Sequence, residues 1–127
     1  MGHVKGIGGV FFKSKDPKTL QAWYHEHLGI EPAADGYVSL RWRDHNDPAK
    51  EHSTVWCPFP QDTTYFEPTN VPYMINYIVD DLDAVLAELR AKGIEVDDKI
   101  EEMEFGRFGW ARDPEGTRFE LWEPPKQ

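Results

Sequence analysis

The chain reads as an α+β protein made of two tandem βαβββ modules. Three observations carry that reading. Sliding the sequence by 64 residues sets Gly29-Ile30-Glu31 on Gly93-Ile94-Glu95. The same slide sets Asp16 on Asp80 and the opening β-rich run on the run from Tyr73 to Val79. In both halves a helix that starts at Asp and stops at Gly follows the first strand directly. An internal repeat of this kind means that two copies of one unit share a core. The modules span about residues 5–60 and 73–124 of a single domain, residues 1–127, with a proline-rich connector at 60–72. A chain of 127 residues suits one hydrophobic core.

The elements follow in order. Residues 8–13 form a strand, with Val10, Phe11 and Phe12 as β-formers. Asp16 then caps a helix and Pro17 takes its first position, where a missing N–H costs nothing. Leu20, Trp23, Tyr24, His27 and Leu28 recur at helical spacing, and Gly29 ends the helix. His25 and His27 fall on different faces, so they share no metal, and His27 is expected to pack on the apolar stripe. Residues 37–43 alternate: Val38, Leu40 and Trp42 face one way, Ser39, Arg41 and Arg43 the other. His45 to His52 is a polar loop, expected to be solvated rather than metal-binding, and 53–59 is a further strand.

In the second half, Tyr73–Val79 is a strand and Asp80-Asp81 starts a helix with Leu82, Val85, Leu86 and Leu89 on its apolar face. Strands are expected at 94–97, around 108–112 and at 118–123, with a solvated acidic loop at 99–104. Asp113-Pro114-Glu115-Gly116 has the residues of a type I turn, so it closes a β-hairpin. On the hairpin's second strand Phe119 and Leu121 point one way, while Arg118, Glu120 and Trp122 point the other. A glutamate in mid-strand beside a tryptophan is either a solvated residue or the floor of a site.

Composition narrows the function. Net charge is −9, almost all of it in the second half, and no basic stripe exists to hold a phosphate backbone or an anionic membrane. No apolar run approaches the roughly 18 residues of a membrane helix, and the first residues lack the apolar core of a signal peptide. The sequence is read as cytoplasmic. The single cysteine, Cys57, cannot form an internal disulfide and is expected to be a packed thiol. Five Trp, five Tyr and seven Phe exceed what a core this small needs, which points to a cavity for flat apolar ligands or to a subunit interface.

The duplicated βαβββ unit and the hairpin, aromatic-x-Arg-Asp-Pro-Glu-Gly-x-Arg-apolar-Glu-apolar, resemble the vicinal oxygen chelate superfamily. That group includes glyoxalase I, extradiol dioxygenases and bleomycin-resistance proteins. The resemblance covers residues 5–124. It implies curled mixed sheets that cup a cavity, with the helices outside, and a homodimer. In catalytic members it also implies a divalent metal held by His, Gln or Glu. The family's ligand positions map here to Gly9, Trp56, Met74 and Glu120, the second placed only to within 55–57. Glycine has no donor side chain, indole is a donor only, and a thioether is soft. The resemblance therefore implies a cup without metal or other cofactor, lined by Trp56, Met74, Asn76, Glu120 and Trp122, which holds a small aromatic or heterocyclic molecule. The alternative is a glyoxalase-like lyase or isomerase in which Glu120 is the catalytic base.

Overall fold

The computed structural model describes residues 2–34 and 36–126; Met1, Asp35 and Gln127 lie outside it. The elements are β1 (Val4–Ser14), α1 (Pro17–Leu28), β2 (Val38–Arg43), β3 (Glu51–Pro60), β4 (Tyr73–Val79), α2 (Leu82–Ala91), β5 (Glu101–Met103), β6 (Gly106–Arg112) and β7 (Arg118–Glu123). They form a mixed sheet in the order β2-β3-β1-β4-β7-β6-β5. The order is mirrored about the β1–β4 seam. β1 runs parallel to β3, which pairs with β2; β4 runs parallel to β7, which pairs with β6. Because β1 and β4 hydrogen-bond to each other antiparallel, the two halves share one continuous sheet rather than two separate ones.

The helix ends follow from their capping residues. Asp16 accepts from Thr19 N at 3.1 Å, Pro17 occupies the first turn, and Gly29 closes α1 with φ of 70°. In the second half the cap is Asp81, which accepts from Ala84 N at 3.1 Å. Asp80, aligned with Asp16 by the sequence slide, instead accepts from His3 N at 2.7 Å. The slide is therefore off by one residue at this helix start.

Apolar residues fill both faces of the sheet. On one face α2 packs Leu82 and Leu86 onto Val79 and Leu121, with Tyr77 and Phe119 beside them. On the other, Phe11, Met74 and Trp110 from the strands surround Phe66 from the connector. Burial of such side chains contributes about 25 cal/mol per Å² of apolar area removed from water.

Four local expectations need correction. Residues 94–97 are not a strand: they make a single bridge, Val96 to Ala111. Part of the acidic 99–104 segment is ordered instead, as edge strand β5 paired with β6. The first half contains three strands, not four, among the described residues. Finally, α1 buries none of its residues. Tyr24 packs edge-on to Trp56, but Trp23 and Leu28 are exposed, and His27 stacks on Trp23 at the surface. Its stripe meets only the outer edge of β1 and β3, so helical spacing there does not lead to the core.

This difference between the helices is testable. Leu86→Ala is expected to lower stability by about 2–5 kcal/mol in denaturant unfolding. Leu28→Ala, which removes an exposed side chain, is expected to change it by less than about 0.5 kcal/mol.

Candidate functional site

The site lies on the face opposite α2, where the strand register brings one row of residues together. Val55 pairs with Gly9, Gly9 with Asn76, Asn76 with Glu120, and Glu120 with Trp110. Directly opposed residues on neighbouring strands share a face, so this row crosses five strands side by side. Met74, with Phe11 and Cys57, forms the next row on the same face.

Glu120 is 2% exposed and Asn76 equally so. Three donors converge on the Glu120 carboxylate. Asn76 Nδ2 donates to Oε1 at 2.5 Å, Trp110 Nε1 donates to Oε2 at 2.9 Å, and the Tyr65 hydroxyl donates to Oε2. Burial pushes the Glu120 carboxyl above its ordinary value of about 4.5, while the three donors and the nearby Arg118 pull the other way; burial prevails. Burial and the adjacent carboxylate likewise raise the Tyr65 phenol far above its ordinary range, so it remains a donor. With its amide N–H committed to Glu120, Asn76 is left with a buried Oδ1 that has no partner among the described residues. A buried acceptor without a donor is uncommon in folded proteins.

Tyr65 and Phe66 reach the cup from the 60–72 connector. Tyr65 stacks on Phe59 with centroids 5.6 Å apart and planes at 15°, and Phe66 is fully buried against Phe59. Arg118 holds this segment down. Its Nη1 donates to Tyr65 O at 2.6 Å, its Nη2 pairs with Asp97 at 2.9 Å, and its guanidinium lies 5.2 Å from the Trp110 ring.

The proposed lining residues divide. Met74, Asn76 and Glu120 are together in the cup. Trp122 is on the same face one row along, stacked on Phe108 at 5.9 Å, with its indole N–H donated to Phe105 O. Trp56 is a correction: its register partners are Val10 and Val38, and it turns to the helix side, against Phe12 and Tyr24. The residue of β3 in the Glu120 row is Val55. Trp110 is a direct donor to Glu120. Tyr65, Phe66 and Trp110 were missed as site residues. The hairpin register, which sets Trp110 opposite Glu120, carried the signal for Trp110; the connector has no periodicity and carried none.

The donor set does not fit the divalent ion of the catalytic relatives. A Cβ added at Gly9 would lie 2.7 Å from the Phe11 ring and 3.2 Å from Asn76 Cβ, so a ligand side chain has no room there. Val55 and Met74 offer no hard donor, which leaves one carboxylate and one amide. No group of three or more His, Cys, Asp or Glu residues converges among the described residues.

A family model described as glyoxalase-like domain matches residues 9–122. The chain belongs to the glyoxalase-like family. This places it in the vicinal oxygen chelate superfamily. No curated protein sequence matches it. Among solved structures it is similar to a variant of Streptomyces coelicolor methylmalonyl-CoA epimerase in complex with 2-nitronate-propionyl-CoA, at 17% identity and TM-score 0.70, over 98% of this glyoxalase-like chain and 100% of that one. It is also similar to methylmalonyl-CoA epimerase from Mycobacterium tuberculosis, at 22% identity and TM-score 0.59, over 97% and 90% of the two chains. At these identities the likeness establishes the fold.

Removing one donor tests the carboxylate's surroundings. Tyr65→Phe is expected to cost about 1–3 kcal/mol where Glu120 is ionised, by leaving buried negative charge under-bonded. The sign with pH follows from the raised carboxyl. The native state binds its proton more tightly than the unfolded chain, so stability is greatest below the ordinary carboxylate range and falls as pH rises through the native value. The Tyr65→Phe penalty should therefore shrink as pH is lowered and Glu120 becomes neutral, read by urea unfolding across pH.

Proposed function

We propose that this glyoxalase-like protein is a metal-free binder of small, flat aromatic or heterocyclic molecules that carry an N–H or O–H donor. The observation that carries the reading is the set of contacts Tyr65 makes in the cup. Its ring stacks on Phe59 and its hydroxyl donates to Glu120, so the protein fills its own cup with a ring and a donor. A ligand of the same design replaces both contacts when Tyr65 and Phe66 lift away. A second donor on the ligand would satisfy Asn76 Oδ1. Met74 and the aromatic walls supply adaptable apolar area with little loss of conformational freedom.

A second reading, an isomerase acting beside a carbonyl, has one observation in its favour. A carboxyl raised by burial is, once ionised, a stronger general base than an ordinary carboxylate. The solved relatives named as epimerases fit that chemistry. Against it, the opposite end of the same row offers Gly9 and Val55, which provide no acid to return a proton to the other side of a substrate.

The two readings differ in an assay. Fused-ring heterocycles with an N–H donor are expected to quench tryptophan fluorescence saturably, and Glu120→Gln to weaken them by roughly tenfold or more. No turnover of acyl thioesters or dicarbonyl compounds is expected. Turnover abolished by Glu120→Gln would instead assign the isomerase. Titration calorimetry with Mg²⁺, Mn²⁺ or Zn²⁺ is expected to give no stoichiometric binding, and tight binding of one ion per chain would overturn the metal-free reading.

A further inference from the structure

The β2–β3 hairpin builds a second buried polar group that the cup does not use. Asp44 sits at the end of β2 and accepts from the N–H groups of Asn46 and Asp47 at 2.9 and 3.1 Å, which folds the polar loop around it. Its other oxygen is 3.0 Å from His52 Nε2 and 3.6 Å from Lys5 Nζ. The side chains of His52 and Asp44 are 3% and 4% exposed. Trp42 lies 4.7 Å from the imidazole centroid and fixes the ring from one side. With Nε2 committed to Asp44, Nδ1 is buried without a partner among the described residues. The expectation of an ordinary solvated loop at 45–52 does not extend to its last residue.

His52 is on the wall of a cavity of about 580 Å³, at the end of the sheet where β1 and β3 begin and β4 and β7 finish. Lys5, Lys50 and Lys126 line it too. Three carboxylates face the same space, and two are already engaged: Asp80 accepts from His3 N and Glu123 accepts from Leu82 N. That leaves Asp47 opposite Lys50 and Lys126.

We propose that this cavity is a ligand site separate from the cup, which takes a small carboxylate- or phosphate-bearing molecule on His52 Nδ1, with the Lys50 and Lys126 ammonium groups around the anion. A neutral ring hydrogen-bonded to Asp44 through Nε2–H presents a lone pair at Nδ1, which an anion cannot accept from. Binding therefore takes up one proton from solvent. Nε2–H stays on Asp44 and the new Nδ1–H is donated to the ligand. Hydrogen bonding from His52 holds the Asp44 carboxyl down to about 2, and the His3 N–H holds Asp80 low, so both carboxylates stay ionised.

The test uses the whole chain and two probes, acetate and inorganic phosphate, added at constant ionic strength and followed by NMR of the His52 imidazole. Acetate is expected to shift the His52 signals saturably and to bind with uptake of one proton per chain. Tighter binding of phosphate than of acetate near pH 8 would identify a phosphate ligand, and the reverse a carboxylate. Exchanging Lys50 and Lys126 together for Met should weaken either probe roughly five- to tenfold. These lysines are not core residues, so the variant keeps the test valid if His52→Gln fails to fold. Shifts that grow linearly without saturation, or that the double-lysine variant leaves unchanged, would overturn the proposal.

Discussion

The cup depends on one constraint: a carboxylate at the centre of a sheet must be given partners. An unpaired charge in an apolar interior is costly, and the structure meets this by aiming three N–H and O–H donors at Glu120. Each donor comes from a different element. Asn76 is on β4, Trp110 on β6, and Tyr65 on the connector, so the carboxylate ties the second-half sheet to the segment between the halves. Of the three, only Tyr65 stands on a segment without regular structure. On the proposed reading, it is the donor that a ligand would replace.

The mirrored sheet explains why the cup is emptier of chemistry in one half than in the other. At the β1–β4 seam, Gly9 faces Asn76, and the space a side chain would need is already filled by the Phe11 ring. Phe11, Met74 and Trp110 pack around Phe66 on this face, and the polar groups of the row are confined to β4 and β7, with Trp110 of β6 beside them.

Much of the fold was legible because its signals are local. Asp-Pro and Gly mark the ends of α1, period-two alternation marks β7, and Asp-Pro-Glu-Gly marks the turn. Glu120, Asn76 and Met74 were legible in the cup because alternation and register act together. Trp56 was misplaced since its assignment rested on counting through a loop of uncertain length, and a one-residue slip turns a strand residue to the other face. Tyr65 and Phe66 were invisible as site residues because irregular chain has no period to read. The His52–Asp44 pair was hidden for a related reason: an irregular loop separates its members, and Lys5, which pairs with Asp44, is distant in sequence.

The most direct measurement is the ionisation of Glu120 itself. With ¹³C-labelled glutamate carboxyls, and Glu120→Gln used to assign the signal, the account predicts a Glu120 resonance that titrates above the ordinary value of about 4.5 and moves further up in Tyr65→Phe. A resonance that titrates at or below that value, and is indifferent to Tyr65, would contradict a buried carboxylate held by the connector's phenol.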